Sequence, residues 1–160
     1  MAKLKIVTLG DEVLRKTCRP VEAITPRVLT LLDDMAETMR AANGVGLAAP
    51  QVGVLRRMVV IEVEEGKLIE LINPKIIAFS GEQEGEEGCL SIPGQWGVTK
   101  RPMHVTVRAM NRRGETFDLT GSELLAKAIC HELDHLDGKL YIDRAIRMLD
   151  ADDKKKRKKK

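Results

Sequence analysis

Aromatic residues are scarce in this chain of 160 residues, which contains two phenylalanines, one tyrosine and one tryptophan. Its core must therefore be built from Val, Ile, Leu, Met and Ala, since apolar residues still make up 43% of the chain. That content excludes general disorder, and the length is sufficient for one domain with a substantial core. The same scarcity argues against binding of single-stranded nucleic acid by base stacking, which requires aromatic platforms.

Long apolar runs and paired cysteines are also missing. No stretch approaches the roughly 20 residues of a membrane span, and the N-terminal segment MAKLKIVTLGDE has no apolar run of signal-peptide length. The three cysteines, Cys18, Cys89 and Cys130, are odd in number and lack the spacing of a disulfide framework. We expect a cytoplasmic protein in a reducing compartment, with no membrane partner.

Basic residues outnumber acidic ones only because of one short segment near the end of the sequence. The net charge is +3, but residues 154–160, KKKRKKK, carry seven positive charges by themselves. The rest of the chain is therefore net negative. We expect a single domain over residues 1–149 and a disordered basic tail over residues 150–160.

Apolar periodicity predicts two helices separated by a region of strands. Thr25 is a good N-cap, and Asn43-Gly44 end the first helix. Ser122 is expected to cap the second helix, which runs to about Asp137. Strand patterns occupy residues 57–63, 68–79, 104–110 and 115–121. Residues 80–88 are acidic and glycine-rich, and an apolar element begins at Cys89-Leu90.

The second helix contains the stretch HELDH at residues 131–135. Residues four apart lie on one helix face, so His131 and His135 can bind one metal ion, and Glu132 can handle a proton beside it. Leu124 and Ala128 precede the histidines on the same stripe. The imidazoles thus continue an inward-facing apolar surface, which weighs against two surface histidines on a charged helix.

A catalytic metal site of this kind usually has three protein ligands and one open position. The downstream ligands of known peptidases with this motif are missing, because Tyr141 stands where one arrangement needs histidine and no glutamate follows Glu132. Upstream, Cys89 is the best candidate, since Gly88 frees the backbone and a thiolate binds borderline-soft metals strongly. Cys130 is adjacent to His131, so its side chain points about 100° around the helix from that of His131 and cannot easily join the same site.

Three segments, GVGLAAPQ (44–51), EGCLS (87–91) and HELDH (131–135), resemble in order and separation the three motifs of peptide deformylase. Alone, the first segment could equally be a helix-to-strand connector. The resemblance implies an α+β fold, with mixed or antiparallel sheets packed around a central C-terminal helix that carries HELDH. It also implies an enzyme that removes the formyl group from the N-terminal methionine of newly made polypeptides.

By this resemblance, Cys89, His131 and His135 hold one divalent metal ion with water in the fourth position. Fe²⁺ is the expected native ion, and Zn²⁺, Ni²⁺ or Co²⁺ suit the same donors. The ion lowers the pKa of its water, giving a hydroxide that attacks the formyl carbon. Glu132 accepts the proton and passes it to the leaving amine.

The resemblance also assigns the surroundings of the metal. The Gln51 side-chain amide and the Leu90 backbone N–H would donate to the developing oxyanion, and Glu87 would orient the loop. The substrate would be added as a strand along backbone at three positions, and its methionine would enter an apolar pocket. The substrate-binding residues implied in this way are Val45, Gly46, Gly88, Leu124 and Ala128.

Two positions depart from the family pattern. Lys127 stands one turn before His131, where the family usually offers an apolar residue. Either its ammonium reaches outward while its stem lines the wall, or the pocket is more polar than usual. Trp96 stands where many relatives have a basic residue, and it is either a rim contact for substrate or surface packing.

The implied partners are N-formylmethionyl nascent peptides, and the KKKRKKK tail is a candidate contact for ribosomal RNA phosphates. A solvated terminus without a partner is the alternative for the tail. Two other classes of function stay open. A metallopeptidase that cleaves internal amide bonds is disfavoured by the missing downstream ligand. A structural-metal or RNA-binding module would need a fourth ligand, and only His104 remains to supply it.

Overall fold

The computed structural model describes residues 2–149, and the expected basic tail, 150–160, lies outside them. The described part contains two α-helices and eight strands. In chain order they are α1 (Pro26–Ala41), β1 (Gly46–Ala48), β2 (Met58–Ile61), β3 (Ile69–Ser80), β4 (Gln83–Cys89), β5 (Ile92–Arg101), β6 (His104–Met110), β7 (Thr116–Ser122), α2 (Leu124–Leu136) and β8 (Arg147–Leu149). Neither helix is long and apolar enough to cross a membrane.

The strands form two antiparallel sheets, a five-stranded one in the order β1-β2-β3-β6-β7 and a three-stranded one in the order β4-β5-β8. The expected α+β fold is confirmed. Strand β3 continues through Asn73-Pro74, where Asn73 adopts φ 53° and the pairing register with β6 shifts. The bend expected there is a bulge within one strand, which also accommodates a proline that cannot donate a ladder hydrogen bond.

The two faces of the five-stranded sheet are covered by different helices. Along β2, Met58 and Val60 pack under α1, whereas Val59 and Ile61 pack under α2, as the alternation of side chains in a strand requires. The helix α2 also contacts β5 of the small sheet. It therefore lies centrally, with one stripe in the main core and the other facing the β4–β5 hairpin, as the family resemblance implied.

Thr25 caps α1 as expected, since its hydroxyl accepts a hydrogen bond from the Val28 N–H at 3.3 Å. The expected cap of α2 is wrong. Ser122 ends β7, and its hydroxyl bonds the His104 ring at 2.7 Å across the sheet. The N-cap position belongs to Glu123, which has φ 56° and makes no side-chain capping bond. The local sequence predicted that Ser122 caps α2, but its hydroxyl bonds His104 on the neighbouring strand instead.

Most of the acidic, glycine-rich stretch 80–88 lies in β4, which pairs with β5 along its length. Its glutamates do not follow an apolar alternation, and one of them, Glu87, is only 5% exposed. A strand that buries a carboxylate is invisible to hydrophobic patterning. It is stable here because the buried charge is compensated, as described below.

Candidate metal centre

The motifs separated in sequence meet at one point of the fold. Two residues of α2 one turn apart, His131 and His135, face the tight turn between β4 and β5, which presents Cys89. One ligand atom from each of the three lies within 4.8 Å of the others. The Cys89 Sγ is 3.4 Å from His135 Nε2. Among residues 2–149, these three form the one group of His, Cys, Asp or Glu side chains close enough together to hold a metal ion.

The donor set fits a divalent metal ion. With metal–sulfur and metal–nitrogen bonds of about 2.3 and 2.0 Å at a tetrahedral angle, the two donor atoms would lie about 3.5 Å apart. The observed Sγ–Nε2 separation of 3.4 Å agrees with that value. The other ring nitrogen of His131, Nδ1, is engaged by Glu87 at 2.7 Å, so its Nε2 is the nitrogen turned to the site. A carboxylate on the far nitrogen is the usual means of orienting a metal-binding imidazole.

Glu87 is held in turn by a buried arginine. Arg101, 4% exposed, donates from Nε and Nη2 to the two carboxylate oxygens at 2.8 and 2.9 Å. The Thr99 hydroxyl donates to the same carboxylate. Burial alone would raise the pKa of Glu87, but the hydrogen bonds from His131 and Arg101 outweigh it and hold that pKa well below its usual range. The carboxylate is therefore ionised and fixed behind His131.

The same arginine ties the ligand helix to the C-terminal segment. Arg101 Nη1 donates to Asp134 at 2.8 Å, and Arg144 donates to both oxygens of Asp134 at 2.6 and 2.9 Å. Asp134 is the fourth residue of HELDH, so the motif includes a structural anchor beside its two histidines. Sequence reasoning missed Arg101 and Arg144, because no spacing pattern links either residue to the motif before the chain is folded.

Tyr141 has a different role from the downstream ligand that its position suggested. Its ring stacks on His131 with centroids 6.0 Å apart and an interplanar angle of 21°. It is only 1% exposed and packs with Leu14, Ile92 and Leu140 in a small separate core. The residue that replaces a histidine ligand thus packs against one of the metal-facing rings and excludes water from that side.

The two imidazoles have opposed proton affinities. Burial opposes protonation of His131, but the nearby Glu132 and Glu87 carboxylates raise its pKa well above the usual value. Burial and the neighbouring charge of His131 lower the pKa of His135 well below that value.

Glu132 lines the same cavity from α2, and burial raises its pKa to about 7. Its Oε1 makes no hydrogen bond to any group among the described residues. On the opposite side, a Cβ added at Gly46 of β1 would lie 2.5 Å from Glu132 Oε2. The glycine of the first motif is therefore required for close approach of backbone to this carboxylate, which a plain connector would not need.

The Gln51 side chain is 1% exposed and fully positioned. Its Oε1 accepts from the Ala48 N–H at 2.9 Å, which leaves its amide N–H groups as donors at the site. Nε2 lies 3.0 Å from the Ser91 hydroxyl and 3.5 Å from Cys89 Sγ. Ser91 was not foreseen as part of the site, although it is the last residue of the EGCLS motif. Leu90 occupies the turn between Cys89 and Ser91 and lines the cavity.

Gln51, Cys89, Leu90, His131 and Glu132 line one cavity of about 500 Å³, which we call the metal-centre cavity. Its walls come from the unpaired edges of β1 and β4, from the turn after β4, and from one face of α2. All five residues that the resemblance implied for substrate binding line it: Val45, Gly46, Gly88, Leu124 and Ala128. Lys127 and Trp96, the two positions expected to depart from the family pattern, line it too.

Three other candidates lie apart from the cavity. Cys18 is buried in the main core, where its N–H bonds the carbonyl of Leu136 at 2.8 Å. Cys130 is buried on the far side of α2, and burial raises the pKa of its thiol to about 11. His104 is exposed and bonds Ser122. None of the three belongs to the group of donor atoms that meet within 4.8 Å, so none is placed to add a fourth ligand there.

Comparison with known proteins gives one consistent result. The family model of polypeptide deformylase matches residues 3–151. The peptide deformylase of Acetivibrio thermocellus is 60% identical over 149 residues, which are 93% of this chain and 87% of the relative. That of Thermoanaerobacter pseudethanolicus is 56% identical over 154 residues, or 96% of each chain. The crystal structure of a peptide deformylase from Legionella pneumophila matches with a TM-score of 0.87 at 43% identity, covering 99% of this chain and 92% of that one.

Proposed function

Because the chain belongs to the peptide deformylase family, we propose that the metal-centre cavity is its active site, with Cys89, His131 and His135 as the metal ligands. Members of the family remove the N-formyl group from nascent peptides, and the chain is a metal-dependent hydrolase of this kind. One observation carries the assignment. The Cys89 thiol and the His131 and His135 imidazoles meet within 4.8 Å, and Cys89, His131 and the buried Glu132 carboxylate line a cavity large enough for a peptide end.

Glu132 is the proposed proton carrier. When bound, the ion supplies Lewis acidity, which lowers the pKa of a water molecule and polarises the formyl carbonyl. Glu132 takes the proton of the attacking water and returns it to the leaving amine, while the carbon–nitrogen bond breaks and formate leaves. The unpartnered Oε1 of Glu132 supports this role, because no protein group competes for it among the described residues.

Gln51 and the Leu90 backbone N–H are proposed as donors to the developing oxyanion. The Gln51 amide is held from both ends, by the Ala48 N–H and by the Ser91 hydroxyl. A donor that is already oriented needs no reorganisation during the reaction, and one such donor typically contributes about 100- to 1,000-fold in rate. The 3.5 Å between Gln51 Nε2 and Cys89 Sγ puts this donor beside the proposed ligands.

The peptide is proposed to enter as an added strand between the two unpaired sheet edges. Gly46 lies on the edge of β1, and Gly88 lies on the edge of β4. Neither position tolerates a side chain, since a Cβ at Gly46 would meet Glu132 Oε2 at 2.5 Å and one at Gly88 would meet the Trp96 ring at 2.9 Å. Main-chain hydrogen bonds to such edges give affinity, and pockets between them give specificity.

The first side chain of the substrate is proposed to enter the apolar part of the cavity, between Val45, Leu124 and Ala128. Val45 and Leu124 are more than two-fifths exposed, at 43% and 44%, although both are apolar. Exposed apolar side chains that face one another across a cavity would be covered by a bound methionine.

The proposed native ion is Fe²⁺, with Zn²⁺, Ni²⁺ and Co²⁺ as alternatives. One thiolate and two imidazoles accept all four, so supply in the cell rather than geometry selects among them. Protein purified anaerobically is expected to carry about one divalent ion per chain, mainly iron, which a metal analysis would measure. Zinc as the main ion in such a sample would contradict the choice of iron.

The function itself is tested on the same sample. The metal-loaded protein is expected to release formate from a formyl-methionyl peptide and to leave the matching acetyl-methionyl peptide intact. The measurement is formate release together with mass spectrometry of the product. No formate from a metal-loaded sample would refute the proposal, whereas cleavage of an internal amide bond would support the metallopeptidase alternative.

The basic tail is proposed to contact the ribosome, and residues 1–149 are proposed to form a single catalytic domain, working in the cytoplasm. Seven cations in 154–160 would each neutralise a phosphate of ribosomal RNA. Deleting residues 150–160 is expected to weaken co-sedimentation with ribosomes at low salt while turnover of a short formyl peptide persists. Unchanged co-sedimentation at low salt would contradict the tail contact, and lost turnover would contradict the domain boundary.

A further inference from the structure

Lys127 is the one lysine or arginine among the described residues that line the metal-centre cavity. Its side chain is half-buried, and its Nζ donates a hydrogen bond to the carbonyl oxygen of Glu86 at 2.9 Å. The ammonium is therefore held against β4 at the cavity wall, one turn of α2 before His131.

This ammonium has hydrogen-bonding capacity to offer. It carries three N–H groups, of which the Glu86 carbonyl takes one, and no other described residue accepts from it. Its neighbours on the helix face, Leu124 and Ala128, are apolar, as is Val45 across the cavity. A charged donor thus sits beside three apolar residues that suit a hydrocarbon or thioether side chain.

We propose that Lys127 extends the substrate range of this enzyme to peptides that begin with formyl-methionine sulfoxide. The inference rests on the proposed function, because it requires the first side chain of the substrate to enter this cavity. Oxidation turns the thioether of methionine, a weak acceptor, into a polar sulfoxide with a strong acceptor oxygen. In a purely apolar pocket that oxygen would lose its hydrogen bonds to water without replacement, which excludes the oxidised substrate.

Lys127 supplies the replacement. An N–H of its ammonium donates to the sulfoxide oxygen while another keeps the Glu86 carbonyl, and a charge-assisted bond of this kind is about twice as strong as a neutral one. The reaction is otherwise the same. Water adds to the formyl carbon, the carbon–nitrogen bond breaks, formate leaves and the amine takes the proton. The sulfoxide is unchanged, so neither oxidant nor reductant is required.

The test compares two formyl peptides that differ only in the first side chain, methionine sulfoxide or norleucine. Norleucine has the length of methionine but no acceptor. In Lys127→Met, the ratio of kcat/KM for the sulfoxide to kcat/KM for norleucine is expected to fall by about ten- to a hundredfold. The loss should reside in KM, since the contact is remote from the reacting bond. Lys127→Arg should restore much of the ratio, because it keeps a charged donor.

The matched control is Lys75→Met, which removes the same charge from an exposed position of β3 outside the cavity. It should leave the ratio unchanged. The fixed position of the ammonium also predicts unequal rates for the two sulfoxide epimers of the wild-type substrate, since the oxidised sulfur is a stereocentre.

The possible results distinguish a failure of the proposed role of Lys127 from a failure of the proposed function. Equal losses on both peptides in Lys127→Met would mean that the lysine only holds β4 in place, and would overturn the inference. An unchanged ratio of the two kcat/KM values in Lys127→Met would also overturn the inference. A wild-type enzyme that hydrolyses no formyl peptide at all, whether it begins with methionine, norleucine or the sulfoxide, would overturn the proposed function itself.

Discussion

Replacing Glu132 with glutamine is expected to leave the metal in place while hydrolysis of a formyl-methionyl peptide nearly disappears. The carboxylate is not among the three donors that meet within 4.8 Å, so the metal-binding set remains complete. Glutamine has almost the same shape but cannot accept and return a proton. General acid–base catalysis by a positioned side chain contributes about 100- to 10,000-fold, and a loss of at least that size is expected.

The measurement for Glu132→Gln is kcat/KM on the formyl peptide together with metal content per chain. Glu84→Gln is the matched control, since Glu84 is an exposed glutamate of β4 that does not line the cavity. Undiminished turnover in Glu132→Gln would remove Glu132 from the mechanism. A variant that had lost its metal would instead make this residue part of the binding set.

Replacing Cys89 with alanine is expected to remove the metal and the activity together. The thiol is the donor from the β4–β5 turn, and the two histidines alone cannot complete a three-ligand site. Thiolate ligands bind borderline-soft ions strongly, so their loss should weaken metal affinity by several orders of magnitude. The fold should survive, because Cys89 is the last residue of β4, at the cavity, and is not part of the main core.

For Cys89→Ala the readouts are metal content after dialysis, activity, and thermal unfolding as a check on folding. Cys18→Ala serves as the matched control, because Cys18 is a buried thiol of the main core that does not line the cavity. Full metal occupancy in a folded Cys89→Ala would refute its assignment as a ligand. Excess metal should not restore turnover of Cys89→Ala. This result would distinguish a loss of the three-ligand geometry from a loss of metal affinity alone.

Much of the metal centre could be predicted from the sequence because its chemistry is local. The spacing of His131 and His135 follows from the period of the helix, and the intervening glutamate needs no tertiary information. The capping of α1 by Thr25 is local in the same sense. Where a residue had two possible partners, local reasoning was wrong. Ser122 was expected to cap α2, but its hydroxyl bonds His104 on the neighbouring strand.

What the sequence determined by itself was the type of donor and the class of enzyme, since three short motifs carry both. What only the tertiary structure decided was how those donors are supported. Arg101 lies 14 residues from Glu87 along the chain, yet their side chains meet at 2.8 Å behind His131. Strand β4 has no apolar pattern because it buries an ion pair, and such a pair exists only after the hairpin and helix have packed together. The hydrogen bond from the Lys127 ammonium to the Glu86 carbonyl likewise joins residues that are distant in the chain, and it forms only after α2 has packed against β4. Local periodicity reports which face of an element is buried, whereas the partners of a buried charge come from distant parts of the chain and are set by packing.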